Sequence, residues 1–325
     1  MHARCTAVLL LAGLTCAPAA AQDYPTRPLR FIVAFAAGGA SDLLARTLGQ
    51  RLAERWGQQV VIDNRAGAGG VIGMQIAARA PADGFTLLMG SSSNLAVGPA
   101  LYTDLGYDPV KSYSGVTEAA IVPIILAVHP SLPVKNIAEL IQYAKSRPGQ
   151  LSYASSGAGA TPHISGELFR RSAGIELVHV PYKGGGEAVA AVLGAHVQMS
   201  FGAVSTALPH MKTGRLRALG VTSSRRLSAV PEVPTIAEAG LPGYEVVQWF
   251  GVFVPAGTPQ SIIAKLNREL TGVLALQEVR DRYSAQGVEP TGSTPAAFDA
   301  HIKTELVRWK KLLKDMDIRG EQTVR

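Results

Sequence analysis

Four stretches of the chain concentrate glycine and small hydroxyls where a strand should end: Ala36-Ala37-Gly38-Gly39-Ala40-Ser41, Gly90-Ser91-Ser92-Ser93-Asn94, Ser155-Ser156-Gly157-Ala158-Gly159-Ala160-Thr161-Pro162 and Tyr182-Lys183-Gly184-Gly185-Gly186. At least three of them, 36–41, 155–162 and 182–186, open a helix. The first N–H groups of a helix lack partners within it, and the helix dipole adds a partial positive charge there. Glycine lets a ligand approach that backbone closely. Such a site can hold an anion without lysine or arginine. One turn of this kind is most simply a tight connection. Turns of this composition in both halves of the chain point to a ligand cleft, with Gly38, Gly39, Ser91, Ser92, Ser156, Gly157, Gly159 and Thr161 as candidate contacts.

Other candidates carry two readings. Phe35 at a strand end packs in a core or lines the cleft, where apolar walls are usual. Asp42 caps its helix, or holds an amine if the ligand carries one. His163 caps a helix start or touches ligand. Tyr182 reaches the cleft or satisfies its own hydroxyl in a core. Lys183 reads as a solvated side chain at a turn. Catalytic patterns are missing. Gly157-Ala158-Gly159 has Pro162 where a dinucleotide fingerprint needs its last glycine, and Gly67-Ala68-Gly69-Gly70 also misses that spacing. There is no G-x-x-x-x-G-K-[ST], no H-E-x-x-H and no G-x-S-x-G. The histidines show no metal-ligand spacing, so neither metal nor cofactor is expected. Ser156 and His163 could be a nucleophile and base, but seven residues across a turn do not specify that geometry.

The elements that would position these turns alternate regularly. Strands are expected at 29–35, 60–62 and 85–89, with helices over 42–56 and from the 67–70 turn to 80. This βαβαβ pattern predicts a parallel sheet with helices on both faces. A second series follows an apolar run at 121–128: helices at 137–147, 163–173 and 187–193, and strands at 151–154, 177–180, 197–201 and 216–221. A strand at 246–254 and helices at 259–276 and 295–313 complete the chain. In the last of these, Trp309, Leu312 and Leu313 face inward and the charges of 308–314 face solvent. Two apolar crossings, at 121–128 and 216–221, divide the chain into domain I (23–123 and 225–325) and domain II (124–224).

Length and composition agree. With 325 residues and 47% apolar side chains the chain can bury two cores and is not disordered. A net charge of +7 without dense basic clusters makes nucleic acid a poor partner and a small anion a better one. His2 and Arg4 precede an uncharged stretch with an apolar run at 7–14, then Pro18 and Ala19-Ala20-Ala21. This reads as a secretory signal, residues 1–21, cut after Ala21. Leu14-Thr15 before Cys16 argues against lipid attachment. Cleavage removes Cys5 and Cys16, leaving an exported chain without disulfides. No later run reaches the length of a membrane span, so a periplasmic protein is expected.

Taken together, several motifs resemble the Bug (TctC-like) family of periplasmic solute-binding proteins, which serve tripartite tricarboxylate transporters. They are Tyr24-Pro25-Thr26-Arg27-Pro28, Phe35-x-x-Gly38-Gly39-x-x-Asp42, Asn64-Arg65-x-Gly67-Ala68-Gly69-Gly70 and Ser155-Ser156-Gly157-x-Gly159-x-x-Pro162-His163. Val180-Pro181-Tyr182-Lys183-Gly184-Gly185, Pro231-x-Val233-Pro234-Thr235-x-x-Glu238-x-Gly240, Trp249-x-Gly251, Pro255-Ala256-Gly257-Thr258-Pro259 and Arg308-Trp309 extend the likeness over nearly the whole mature chain. The resemblance implies a type II periplasmic binding protein fold: two α/β domains, with a small carboxylate held in the cleft between them by backbone N–H groups, hydroxyls and water. It departs from the family at Gln198 and Gly202, where acidic residues are frequent, and at Ala37, where proline is common. The expected function is capture of a small carboxylate by a monomer, for delivery to membrane transporter subunits. The alternatives are a sensory binding protein without a transport role, and a hydrolase using the same cleft.

Overall fold

The computed structural model describes residues 24–316 and 318, so the signal segment read at 1–21 lies outside the described residues. In chain order the elements are β1 (Leu29–Val33), α1 (Ala40–Trp56), β2 (Val60–Asn64), α2 (Val71–Ala78), β3 (Thr86–Ser91), α3 (Gly98–Leu101), β4 (Tyr113–Val128), α4 (Ile137–Lys145), β5 (Ser152–Ser155) and α5 (Thr161–Ala173). They continue with β6 (Val178–Pro181), α6 (Gly185–Leu193), β7 (Met199–Ala203), α7 (Val204–Lys212), β8 (Arg217–Val221), β9 (Val247–Pro255), α8 (Gln260–Leu274), α9 (Gln277–Ser284), β10 (Glu289–Pro290) and α10 (Pro295–Asp315). The local chemistry explains several boundaries. Asn136 caps α4 by accepting from the Glu139 N–H at 2.8 Å, while Glu139 accepts from Asn136 in return. Gly57 and Gly174 end α1 and α5 in the left-handed conformation.

The strands form one curled sheet in the order β2-β1-β3-β9-β4-β7-β5-β6, with β8 and β10 also paired to β4. The β1–β2, β1–β3, β5–β6 and β5–β7 pairs are parallel, as the βαβ pattern predicts. The two long strands between them differ. β9 is antiparallel to both β3 and β4, and β4 is antiparallel to β7 and β8. The sheet is therefore mixed. β4 changes partners along its length: residues 113–123 pair with β9, Ile124 to Val128 pair with β7, and Ile125 to Val128 also pair with β8. The change falls at Pro123, which has no N–H to give a ladder.

The chain returns beside this same point. Thr222 N–H donates to Ile124 O and Val246 N–H donates to Thr222 O, both at 2.9 Å, before β9 begins. Between these two residues the chain packs on the β8 and α5 side. Ile236 N–H bonds Val221 O at 2.8 Å, and the Tyr244 hydroxyl donates to Ser165 O at 2.6 Å. Leu227, Val230 and Val233 join the apolar cluster of α6 and α7. At the other end, α1, α8 and α9 bury Leu44, Leu48, Leu266, Leu270, Val279 and Tyr283 against one face of the sheet.

α10 covers the back of β9. Trp309 and Leu313 are buried as the amphipathic pattern requires, and Leu312 is half-buried. The Trp249 and Trp309 indole N–H groups both donate to Glu305 Oε2, at 3.3 and 3.1 Å, and Phe298 packs edge-on to Trp249. Gly251 is where this contact is tightest: a Cβ there would sit 2.1 Å from Phe298 Cζ. Gly251→Ala is therefore expected to destabilise the protein by about 1–3 kcal/mol, the usual cost of overpacking a core. Denaturant unfolding measures it.

Candidate functional site

The carboxyl ends of β1, β5 and β7 face one cleft of ≈ 370 Å³, counting the space open at its mouth. From the β1–β3–β9 side it is lined by Phe35, Gly39, Ala40, Ser41, Gln248 and Phe250; from the β5–β7 side by Ser156, Pro162, Gly185, Gly202 and Ala203. No lining side chain carries a formal charge. The starts of four helices open onto it: α1 at Gly39 to Ser41, α5 at Pro162, α6 at Gly185 and α7 after Ala203. In none of the four does the N-cap residue cap the first turn with its own side chain, although at α5 the Thr161 N–H is taken by Ser93 Oγ and Pro162 has no N–H. The first-turn amides of α1, α6 and α7, and the dipoles of all four helices, thus remain available to an anion.

The turn before α1 is held in shape from behind. Gly38 adopts φ +81°, a conformation that favours glycine. Its N–H donates to Asp42 Oδ2 at 3.0 Å, Arg46 Nε donates to the same oxygen at 2.9 Å, and Asn64 Nδ2 donates to Asp42 Oδ1 at 3.0 Å. Burial works against the charge of Asp42, but these hydrogen bonds and the Arg46 charge outweigh it and hold the carboxyl below its ordinary range. With both oxygens engaged, Asp42 shapes the turn.

Beneath the cleft a chain of buried hydroxyls joins the two sides. Ser92 Oγ and Ser93 Oγ lie 2.9 and 3.1 Å from Thr161 Oγ1, Thr161 N–H donates to Ser93 Oγ, and Gln248 Nε2 donates to the same oxygen at 3.0 Å. Ser91 turns away to donate to Asn94 Oδ1. The remaining glycine turns meet across the cleft. Ala36 N–H donates to Lys183 O at 3.1 Å, and a Cβ on Gly69 would lie 2.4 Å from Ala158 O. Gly157 abuts Gly69, and Gly159 abuts the Tyr102 ring.

His163 supports the 157–160 turn from below. Its Nδ1 accepts the Gly159 N–H at 3.1 Å, and its ring stacks on His179 with centroids 4.0 Å apart. His179 Nε2 lies 2.6 Å from Ser155 Oγ. Burial pushes His163 down to about 4, against a small opposing effect of Glu167, and burial together with the charge of His163 pushes His179 down to about 3. His163 Nδ1, taken by the Gly159 amide, is not available as a base for Ser156. Tyr182 packs on the α6–α7 apolar cluster, and Lys183 reaches the cleft edge through its carbonyl.

Of the residues singled out from sequence, the structure brings Phe35, Gly39 and Ser156 to the cleft wall. Gly38, Asp42 and His163 hold the turns; Ser91, Ser92 and Thr161 lie in the hydrogen-bond network; Gly157 and Gly159 form the seam. Sequence reading missed Gly202, Ala203, Gln248 and Phe250. One signal was present: Gln248 is the single amide in the otherwise apolar 246–254 run.

Two α/β domains sharing crossing segments, with a ligand cleft between them, define a type II periplasmic binding protein. The chain belongs to the tripartite tricarboxylate transporter receptor family, TctC, whose family model matches residues 44–318. It is thus a solute-binding protein of the TctC/Bug family. It is 39% identical over 300 residues to protein BugT of Bordetella pertussis, covering 92% of each chain. Among solved structures it is similar to an R. palustris protein solved with adipate, at 38% identity and TM-score 0.90, covering 92% of this chain and 100% of that one. It is also similar to MatC from Rhodopseudomonas palustris with bound malate, at 32% identity and TM-score 0.85, covering 89% and 100%.

Two outcomes are expected. Thr161→Val leaves the buried Ser92 and Ser93 hydroxyls short of a partner and should cost about 1–3 kcal/mol in denaturant unfolding. The histidine pair sets a pH dependence. Folded, the rings stay neutral down to about pH 4 or below, whereas in the unfolded chain they take up protons below about 6.5. Their contribution to stability is complete above about 6.5 and is lost as the pH falls toward 4. The melting temperature should fall over that window, with a shallower slope in the His163→Asn/His179→Asn double variant.

Proposed function

We propose that this protein captures a small carboxylate, and a dicarboxylate in particular, between its two domains in the periplasm. It then delivers that acid, as a monomer, to the membrane subunits of a tripartite tricarboxylate-type transporter. The observation that carries this reading is the convergence of four helix starts, three of them (α1, α6 and α7) with uncapped first turns, on a cleft with no charged lining. A carboxylate there receives charge-assisted hydrogen bonds from amides that are otherwise unspent. No lining carboxylate is present to attract a cation. Helix starts on both sides of the cleft suit an acid with a carboxylate at each end, and adipate and malate, found with two solved relatives, are acids of that kind.

In this reading the first domain comprises residues 24–123 and 247–316, and the second comprises 124–246. On this division the second crossing lies at Thr222 and Val246; the packing of residues 225–246 on β8, α5 and the α6–α7 cluster supports it.

Thermal melting of the ligand-stripped protein tests the ligand class. A ligand present at about a thousandfold over its Kd adds about 4 kcal/mol of stability, which raises the melting temperature of a chain this size by several degrees. Mono- and dicarboxylates should produce such shifts, and sugars and simple cations should not. The reverse pattern would overturn the anion cleft, and consumption of a hit would point to an enzyme. Delivery is read separately, as uptake of the labelled acid by vesicles carrying the transporter subunits, which should require the binding protein.

A further inference from the structure

A glycine is needed where φ is left-handed or where a Cβ has no room. Most glycines of this fold meet one of those conditions. A Cβ would lie 2.7 Å from Phe253 at Gly90, 2.2 Å from Tyr153 at Gly166 and 2.1 Å from Phe298 at Gly251. Three glycines on the cleft wall meet neither. Gly39 has φ −89°, and Gly185 and Gly202 lie outside the left-handed region. A Cβ would come no nearer than 3.6 Å to any protein atom at Gly39, 3.7 Å at Gly185 and 3.9 Å at Gly202, all ordinary contact distances. The chain itself has room for alanine at each. Glycine within a strand, as at Gly202 in β7, carries an entropic cost that packing does not require here.

The three are contiguous. The nearest atom to a Gly39 Cβ is Gly185 N, across the cleft, and the nearest atom at both Gly185 and Gly202 belongs to Thr206. They form a side-chain-free strip running from the start of α1 to β7, within a cavity that Phe35 and Phe250 also line. The cavity, not the strip, defines the site; the strip defines its shape.

We propose that Gly39, Gly185 and Gly202 are the specificity wall of the cleft, kept bare so that the unbranched or planar body of a carboxylate lies flat against the backbone. This rests on the carboxylate reading above. Filling the strip at Gly202, in β7, shortens the body that fits, while leaving the helix starts free to hold a carboxylate.

The test compares wild type with Gly202→Ala, and with Gly202→Ser as a second variant, by calorimetric titration with succinate, adipate and benzoate and by melting of the unliganded proteins. Wild type should bind adipate or benzoate. In the variants that affinity should fall about tenfold or more, with succinate changed by less than about threefold, the scale on which a pocket discriminates one carbon group. Whichever of adipate and benzoate is lost assigns the body as chain or ring. The unliganded variants should melt no lower than wild type, an outcome that a structural role for the glycines would not give. An unchanged adipate-to-succinate ratio, a wild type that binds succinate alone, or unliganded variants that unfold more readily would each overturn the wall while leaving the carboxylate reading in place. A wild type that binds none of the three acids, and no other carboxylate in the melting screen, overturns both.

Discussion

A cleft without charged side chains can attract an anion only if backbone donors are left unspent, and much of this structure follows from that constraint. A helix start is an expensive thing to leave uncapped in a protein interior, because each N–H without a partner loses the hydration it had in the unfolded chain. At α4 and α10, away from the cleft, Asn136 and Thr294 accept from the first-turn amides. At α1, α5, α6 and α7 the cap positions are Gly39, Ala160, Gly184 and Ala203, which have no side chain able to do so. Donors are thereby reserved at α1, α6 and α7, whereas at α5 the Thr161 N–H goes to Ser93 Oγ, and the polar side chains nearby are committed to holding the turns. Asp42 holds the first, His163 the second, and Glu187 accepts the Lys183 N–H ahead of α6.

That division of labour explains what could be read from the sequence. The glycine turns were visible because their composition is unusual and each follows a strand pattern. The alternating elements were visible because the parallel strands of β1, β3 and β5 are short apolar runs followed by amphipathic helices. The first half of β4 was not. Ser114, Gly115, Thr117 and Glu118 do not look like a buried strand, and Glu118 tolerates burial because His301, 183 residues away, hydrogen-bonds its carboxylate at 2.6 Å. α7 was hidden by Pro209 inside it, and the helix running from Ser93 into α3 by its serine start and by Gly98-Pro99. Which polar residues touch the cleft was beyond reach for a related reason. Asp42, His163 and Tyr182 have the chemistry of ligand contacts, and only their partners in space reveal that they are engaged elsewhere.

The glycines illustrate how one residue type serves three distinct needs in a single site. Gly38 supplies a left-handed turn. Gly69, Gly157 and Gly184 allow the two domains to touch backbone to backbone, at distances where a Cβ would meet Ala158, Gly69 or Ala36 within 2.4 to 3.1 Å. Gly39, Gly185 and Gly202 do neither. A motif search sees all of these as one glycine-rich signature, and only the coordinates separate the conformational role from the steric ones.

The two crossings of the chain lie side by side. β4 changes partners at Pro123 and Ile124, and the chain returns beside that point at Thr222 and Val246, where both hydrogen bonds are made to or from Thr222; in the proposed two-domain division these are the crossings. In mechanical terms this is a pin. Two bodies joined by adjacent, mutually bonded strands can neither slide along each other nor separate without breaking that ladder. Their cheapest relative movement is a rotation about it, and displacement grows with distance from the axis. For a given rotation, contacts far from the axis then change most and those beside it least.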